Sequence, residues 1–318
     1  MKNIYLNIYK PNSANLKKAK KNIKNNTVIG FPTETVYGLA GNAYSNKSVK
    51  KIFHLKKRPL FNPLIIHYKN LKSLKNDVIY NQLFIKLYKA FCPGPLTFIL
   101  NSNPKSKISK IALAGKKTVA VRFPKHKLAR KFLRMLDVPL AAPSANMSSR
   151  LSPTCAKDVI DEFGNKINIV LDGGRCQIGL ESTIIDLTDK PTILRQGFIS
   201  SNKIKKILKK KILFNKKSKI IKSPGQLKLH YSPGIPVYMN KKNPKKGGAF
   251  ISFGKKFKND KNYFNLSKKN DLNKAANNLY KTMRDIKKLG FKSISVCKIP
   301  NLGLGQAIND RLKKASNK

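Results

Sequence analysis

The sequence predicts an α/β protein in which a twisted, mixed or parallel open sheet is flanked by helices and followed by a smaller Rossmann-like α/β domain. Two observations predict this class. Short apolar runs typical of strands alternate with longer segments of helical periodicity. Two Ser-Pro-Gly triplets within twelve residues mark a break, because proline and glycine interrupt regular structure. We therefore expect a first domain over residues 1–205, a linker over 206–234 and a second domain over 235–318.

The apolar pattern of the first domain predicts alternating strands and helices. Strands are expected at 4–9, 28–31, 63–67, 96–101, 117–123, 140–142, 167–171, 181–187 and 192–194. Helices are expected at 13–24, 48–57, 71–91, 127–137 and 152–163. Ser13 is the expected N-cap of the first helix, and Pro153 is expected at the first helical position of the last.

The second domain begins after a segment, 204–223, that consists almost entirely of lysine with isoleucine and leucine. Its first half is consistent with a helix and its second half with a strand. Beyond the linker, strands are expected at 235–239, 248–253, 263–266 and 293–296, with helices at 271–289 and 306–314. No Gly-x-Gly-x-x-Gly follows the first of these strands, so we expect a structural domain or a lid.

The charge of the chain is extreme, with 67 Lys and Arg against 14 Asp and Glu and a net charge of +53. Such a field attracts nucleic acid, nucleotides or anionic membranes. An AT-rich genome would impose the same richness in lysine, asparagine and isoleucine on any protein, and the basic residues are spread over both halves. The charge is therefore weak support for contact with RNA.

Several functional classes are disfavoured by motifs that the sequence lacks. The four cysteines, at 92, 155, 176 and 297, form no Cys-x-x-Cys pair, so no zinc site is expected. No secretory signal or membrane-spanning run is found, and we expect a cytoplasmic protein with reduced thiols. Without a Walker, Gly-x-Ser-x-Gly, His-Glu-x-x-His or kinase motif, catalysis by positioning and charge stabilisation is favoured.

Residues 28–67 contain the first cluster of polar side chains. The helix at 48–57 must end before Pro59, so Lys56 and Arg58 are expected on the turn into the next strand, close to Asn62. This set suits a polyanionic ligand, because arginine offers a planar fork and lysine a point charge to phosphate oxygens. Lysine is also the common surface residue of this chain, and a solvated turn is the alternative.

Other polar residues also fall where predicted strands end, the edge at which open α/β sheets bind ligands. They are Thr33–Thr35, His67, Thr118 with Arg122, Ser144 with Asn146, Ser182 and Arg195. Arg122 lies inside an apolar strand and needs a partner, which is an anionic ligand or a carboxylate from Glu34 or Glu181. His67 is equally consistent with a core histidine.

The sequence motifs of these segments resemble those of the YrdC-like family of threonylcarbamoyl-AMP synthases. The matching motifs, in order over about residues 10–200, are PTETVYGL, KKRPLFNPLIIH, FCPGPLTFIL, VAVRFP, AAPSANMSSRLSPT, DGG, ESTIIDLT and ILRQG. The remainder is similar to the C-terminal extension of the two-domain form, with SPGQLKLHYSP as its linker. The resemblance implies a YrdC-like fold with a concave basic cleft.

The resemblance also implies a nucleotidyltransferase that converts L-threonine, bicarbonate and ATP into threonylcarbamoyl-adenylate and pyrophosphate. Mg2+ would be held mainly by the ATP phosphates, with no metal ligand from the protein. A tRNA threonylcarbamoyl transferase complex would then receive the product and modify tRNA next to the anticodon. Any direct contact with tRNA is expected to be weak, and no membrane partner is expected.

The resemblance assigns the family's site residues to the matching motifs of this sequence. The catalytic set comprises Lys56, Arg58, Ser144 and Asn146. L-Threonine is expected to contact Thr35, His67, Arg122, Ala142 and Ser182. ATP is expected to contact Arg58, Asn62, Thr118, Ser144, Ser152, Arg195 and Tyr231. No general base is nominated, since carbamate formation from threonine and bicarbonate need not require one.

Two departures and three alternatives accompany the resemblance. Cys92 replaces the family's tryptophan and Gln196 its usual proline, neither at an expected ligand contact. A non-catalytic tRNA- or double-stranded-RNA-binding protein of the same fold is one alternative. A carbamoyl-transfer enzyme of hydrogenase maturation is the second, although the acylphosphatase domain and Cys-x-x-Cys zinc fingers of those proteins are lacking. The third is a degenerate remnant.

Overall fold

A computed structural model describes residues 4–214, 223–225, 230–257 and 260–316 of the chain. These residues form two β-sheets that are both covered by helices. The order of the twelve strands of the first sheet is β1-β9-β2-β3-β8-β4-β7-β6-β10-β11-β12, with β5 paired to β6. These strands are β1 (Ile8–Tyr9), β2 (Ile29–Phe31), β3 (Gly38–Asn42), β4 (Ile65–His67), β5 (Val78–Ile79), β6 (Leu96–Ser102), β7 (Thr118–Arg122), β8 (Leu140–Ala141), β9 (Val170–Leu171), β10 (Thr183–Asp186), β11 (Thr192–Arg195) and β12 (Leu213–Phe214).

The first sheet contains both parallel and antiparallel pairs, as predicted. Strand β4 runs parallel to β7, whereas β3 and β8, and β6 and β7, are antiparallel. The helices that accompany it are α1 (Ser13–Lys24), α2 (Asn46–Lys56), α3 (Gln82–Phe91), α4 (Lys127–Arg134), α5 (Ala156–Phe163) and α6 (Ser201–Leu208). The open, mixed sheet flanked by helices is therefore confirmed.

The second sheet has four parallel strands in the order β13-β16-β14-β15. They are β13 (Val237–Tyr238), β14 (Ala249–Ser252), β15 (Tyr263–Asn265) and β16 (Ile294–Val296), and the helices are α7 (Leu272–Lys288) and α8 (Leu304–Ser316). A parallel sheet needs helical crossovers, and this one has the α/β character that was predicted. Among the described residues, none of the helices has the length and apolar character needed to cross a lipid bilayer.

Helix ends are where the structure corrects the predictions most often. Asn12, not Ser13, caps α1, because its side chain accepts a hydrogen bond from the amide of Asn15 at 2.8 Å. Helix α5 begins at Ala156 rather than near Pro153, since the Asp158 carboxylate accepts main-chain hydrogen bonds just before the helix. Caps depend on side-chain geometry that apolar periodicity does not reveal.

Two segments differ in kind from the prediction. Residues 4–9 form a 3-10 turn, Ile4–Asn7, before the short strand β1, which meets only the two residues of β9. Residues 71–91 were expected to form one helix but contain a 3-10 turn, Lys72–Leu74, then β5, then α3. The buried carboxylate of Asp77 explains this break, because it accepts hydrogen bonds from three hydroxyls, those of Tyr44, Tyr68 and Ser106.

The segment predicted as helix, then strand, then linker is partly described. Helix α6 and strand β12 account for its first part, and β12 pairs with β11 of the first sheet inside the expected linker range. Residues 215–222 lie outside the described residues. The domain boundaries of the sequence analysis stay predictions. Strand β3, which was not predicted, also belongs to the first sheet, between β2 and β8.

We predict that Phe98→Ala lowers the free energy of unfolding by about 3–5 kcal/mol, because large-to-small changes leave a cavity in a packed core. Phe98 is fully buried in β6, and its ring meets that of Phe84 edge-on with 5.0 Å between centroids. Urea denaturation followed by circular dichroism measures the loss. Phe214→Ala is the matched control, since Phe214 is 43% exposed, and it should cost less than about 1 kcal/mol. Equal losses would contradict the core assignment.

Candidate active site

Polar side chains converge on one small cavity, which we call the central cavity. Parallel pairing of β4 and β7 places His67 opposite Arg122, so both lie at the same edge of the sheet. The chain leaving β8 returns alongside, because the amide of Ala142 donates to the carbonyl of Ile65 at 2.9 Å. Seven expected site residues line this cavity: Arg58, His67, Arg122, Ala142, Ser144, Arg195 and Tyr231. Its free volume is about 30 Å³, which is room for roughly one water molecule.

Lys56 joins two motifs that lie far apart in the sequence. It is the last residue of α2 and is 1% exposed, and its Nζ donates to the main-chain oxygens of Ser144 and Asn146. Burial, and then the charge of Arg58, lower the pKa of Lys56 well below its usual value. The Oδ1 of Asn146 is buried and has no partner among the described residues. The expected Lys-x-Arg and Ser-x-Asn motifs are therefore in direct contact.

Arg58 is positioned by the turn that follows α2. Lys57 adopts a left-handed conformation, with φ of 47°, and the chain then turns back so that Arg58 points inward. The Nε of Arg58 donates to the carbonyl of Asn62 at 2.9 Å, and its Nη2 donates to Asn62 Oδ1 at 2.6 Å. Burial, and then Arg195, lower the pKa of Arg58 to about 9, so the guanidinium keeps its charge at neutral pH.

Arg122 forms a buried ion pair with Glu34, the first of the two carboxylates that the sequence offered. The Nη2 of Arg122 lies 2.7 Å from Glu34 Oε1, and Glu34 Oε2 accepts from the amide of Lys125 at 3.0 Å. The Nε of Arg122 and the Nδ1 of His67 are buried, and the described residues give them no partner. Burial, and then Arg122, lower the pKa of His67 to about 3, so its ring is neutral.

Arg195, at the end of β11, connects the sheet to the linker. Its Nε and Nη2 donate to the carbonyl and the hydroxyl of Ser182 at 3.0 and 3.1 Å, and its Nη1 lies 3.4 Å from the carbonyl of Pro224. The Oγ of Ser182 is also 2.7 Å from that of Thr97. Thr35 is buried near the cavity and lies 2.9 Å from Thr33, hydroxyl to hydroxyl.

Three expected nucleotide contacts, Asn62, Thr118 and Ser152, are not part of the cavity wall. Thr118 begins β7 opposite Asn101, roughly 13 Å along the strand from Arg122. Ser152 is fully buried, and its hydroxyl donates to Glu181 Oε1 at 2.5 Å. The structure therefore brings Ser152 to the carboxylate beside the cavity and leaves Thr118 at the far end of its strand.

Sequence reasoning missed the residues that the second domain contributes. Arg311 on α8 pairs with Glu181 Oε2 at 2.9 Å, and the hydroxyl of Tyr280 on α7 lies 3.1 Å from both carboxylate oxygens. The linker contributes His230. Burial lowers the pKa of this histidine to about 3; the charge of Glu181 opposes this shift and that of Arg58 adds to it. The sequence held one signal for Arg311. It is an arginine in a chain dominated by lysine, and arginine offers a planar fork of donors that lysine lacks.

Family models match nearly the whole chain. A model described as telomere recombination matches residues 21–197, and a model described as threonylcarbamoyl-AMP synthase, C-terminal domain, matches residues 199–317.

Individual relatives match over similar lengths. A threonylcarbamoyl-AMP synthase of Pyrococcus abyssi is 36% identical over 92% of this chain and 92% of its own. Another from Bacillus subtilis is 34% identical over 96% of this chain and 94% of its own. The crystal structure of P. abyssi Sua5 complexed with L-threonine has a TM-score of 0.89 to this chain at 32% identity and covers 97% of both chains.

We predict that the free energy of unfolding falls between pH 6.5 and pH 5. His67 and His230 have folded pKa values of about 3, below the usual value near 6.5, so the unfolded state binds more protons in this window. The free energy of unfolding has its full value above about pH 6.5. As the pH falls below this value, it should decrease by up to roughly 1.4 kcal/mol per pH unit for each histidine. Urea denaturation at several pH values measures the slope.

The matched variants for this measurement are His230→Gln and His54→Gln. His54 is exposed, so its removal should leave the slope unchanged, whereas removal of His230 should make it shallower. A wild-type slope in His230→Gln would contradict the buried, neutral state of that ring.

Proposed function

The chain belongs to the threonylcarbamoyl-AMP synthase family, whose members make threonylcarbamoyl-adenylate, and we propose that its central cavity performs this nucleotidyltransferase reaction on L-threonine, bicarbonate and ATP. One observation carries the proposal. Lys56 holds the Ser144–Asn146 loop beside Arg58, although these motifs lie about ninety residues apart. An RNA-binding surface requires basic residues but not this buried arrangement, and the non-catalytic alternative is not favoured.

L-Threonine is assigned to the side of the cavity formed by Arg122 and His67. The carboxylate of the amino acid would satisfy the buried Nε of Arg122, which is costly to leave without a partner. The ion pair between Glu34 and the Nη2 of Arg122 holds the guanidinium in place. The neutral ring of His67 offers a hydrogen bond without adding charge, and the small side chain of Ala142 leaves space. Hydroxyls of Thr35 and Ser182 are the assigned contacts for the remaining polar groups.

ATP is assigned to the side formed by Arg58, Arg195 and Tyr231, with Asn62, Ser144 and Ser152 close by. The two guanidinium groups supply positive charge where burial strengthens electrostatic interactions. Asn62 orients Arg58 through its carbonyl and its side-chain oxygen. The assignment of Thr118 to the nucleotide rests on the resemblance alone.

Catalysis is assigned to charge neutralisation and positioning. The amine of L-threonine and bicarbonate condense to a carbamate with release of water, and a carbamate oxygen then attacks the α-phosphorus of ATP. The bond from this phosphorus to the bridging oxygen breaks, and pyrophosphate leaves with the electron pair. Arg58 neutralises the charge that develops on the phosphoryl oxygens, and Lys56 holds the loop of Ser144 and Asn146 against it.

Mg2+ is expected to arrive with ATP and to be held by its phosphates, where it would neutralise part of their charge. Two buried carboxylates support this view, because Glu181 of the cavity wall is bound to Arg311, and Glu34 is bound to Arg122. Their oxygens are therefore engaged. The protein's own contribution is the set of arginines around the phosphates.

Three further parts of the proposal concern the setting of the reaction. Transfer of the product to a tRNA threonylcarbamoyl transferase complex follows from the chemistry of the family. Weak contact with tRNA is supported by the net charge of +53. A cytoplasmic location is supported by the four cysteines, all of which carry free thiols.

The test is pyrophosphate release from ATP by the purified protein, with and without L-threonine and bicarbonate. Release that needs both substrates is expected. Release without threonine would point to another acceptor, as in carbamoyl-transfer enzymes. No release, together with tight and salt-sensitive binding of tRNA, would support the RNA-binding alternative.

We predict that Arg58→Ala lowers the rate of threonine-dependent pyrophosphate release by about 10²-fold, because removal of one buried charge-stabilising donor costs that much in other sites. Lys210→Ala is the control, since Lys210 is exposed and does not line the cavity, and its rate should stay within about twofold of wild type. Circular dichroism checks that both variants fold. Equal rates in the two variants would remove Arg58 from the mechanism.

A further inference from the structure

The second domain reaches the wall of the central cavity through Arg311. This side chain is 1% exposed, and each of its three guanidinium nitrogens donates a hydrogen bond. Nε donates to Glu181 Oε2 at 2.9 Å, Nη2 to the carbonyl of Gln196 at 2.9 Å, and Nη1 to Asp310 Oδ2 at 2.6 Å. Glu181 lines the cavity, so a residue of α8 holds a group in its wall.

Tyr231 of the linker lies between two residues of the second domain. Its ring stacks on that of Tyr280 with 5.9 Å between centroids and an interplanar angle of 21°. The guanidinium of Arg311 lies over the same ring, 5.0 Å from its centroid. Tyr280 and Arg311 also both contact Glu181, so Glu181, Tyr280, Arg311 and Tyr231 form one connected buried group.

Glu181 needs these partners because of where it lies. A free carboxylate in this wall would repel the phosphates of ATP and would compete with them for Arg58 and Arg195. Burial raises the pKa of Glu181, but Arg311 and then Arg195 outweigh burial and lower it to about 2. The carboxylate is therefore ionised, and Arg311, Tyr280 and Ser152 engage its oxygens.

The central cavity is too small for a nucleotide in the closed arrangement. About 30 Å³ of free space remains beneath Tyr231, whereas ligand pockets of small molecules measure roughly 300–1,000 Å³. We expect the wall that contains Tyr231 to open when ATP enters. The contacts of Arg311 and Tyr280 then favour return to the closed arrangement.

We propose that Arg311 and Tyr280 form an interdomain latch on Glu181 that positions Tyr231 over bound ATP. This proposal rests on the proposed function, since it concerns the nucleotide of that reaction. Arg311 is thus a positioning residue, which acts through Glu181 and Tyr231. The latch controls affinity for ATP, while two of the assigned L-threonine contacts, Arg122 and His67, lie on strands of the first sheet.

Three variants test the latch: Tyr280→Phe, Arg311→Met and the double variant Glu181→Gln with Arg311→Met. Tyr280→Phe removes only a hydroxyl and should raise KM for ATP about threefold to tenfold, the effect of one hydrogen bond. Arg311→Met should raise it by more than about tenfold, because it leaves Glu181 buried without its cation. The double variant removes both charges and should recover part of this loss. KM for L-threonine should change less than twofold in Tyr280→Phe.

Lys288→Met is the matched control. Lys288 on α7 also pairs with the first domain, through Asp161 at 2.6 Å, but neither residue is among the described hydrogen-bond or ring partners of Glu181 and Tyr231. Its KM for ATP should equal that of wild type. If Tyr280→Phe and Arg311→Met, both folded by circular dichroism, also keep the wild-type KM for ATP, the latch is wrong. If Arg311→Met does not fold, Tyr280→Phe decides alone.

Failure of the latch and failure of the proposed function give different results. Wild-type protein that releases no pyrophosphate in response to L-threonine and bicarbonate overturns the function and the latch together. Wild-type protein that is active, with latch variants indistinguishable from Lys288→Met, overturns the latch only. A parallel increase of KM for both ATP and L-threonine in Tyr280→Phe would indicate general loosening and would also overturn it.

Discussion

Buried positive charge at one edge of the first sheet is the constraint on which the rest of the structure depends. Five cationic side chains are almost inaccessible to solvent there: Lys56, Arg58, Arg122, Arg195 and Arg311. Burial of charge is unfavourable unless each group has partners. Glu34 pairs with Arg122, Glu181 and Asp310 pair with Arg311, and main-chain carbonyls accept hydrogen bonds from the other cations. A surplus of positive charge remains, and a triphosphate is the ligand that suits it.

The topology of the sheet delivers these groups to one place. Parallel pairing brings the ends of β4 and β7 together, and the chain after β8 returns along the same edge. Short turns then provide the remaining contacts, such as the left-handed Lys57 that directs Arg58 inward. The second domain completes the wall from the other side through α7 and α8. Charge pairing across the domains therefore links the packing of the chain to the proposed chemistry.

Much of the fold and part of the site could be predicted from sequence. Arg122 inside an apolar strand correctly indicated a buried partner, yet Glu34 and Glu181 were equal candidates. Only the folded chain distinguishes them, because Glu34 meets Arg122 and Glu181 meets Arg311. The helix expected over 71–91 was wrong for a similar reason. The carboxylate of Asp77 accepts hydrogen bonds from the hydroxyls of Tyr44, Tyr68 and Ser106. These tertiary contacts override the local helical periodicity.

The sequence by itself determined the α/β class and the motifs of the synthase family. These features are local, since periodicity, breaking residues and motif order are read along a few residues at a time. Only the tertiary structure decided which charges meet. Lys56 contacts a loop ninety residues away, and Arg311 reaches Glu181 across 130 residues. Such pairs are selected by the cost of burying an unpaired charge, which exists only once the chain has folded.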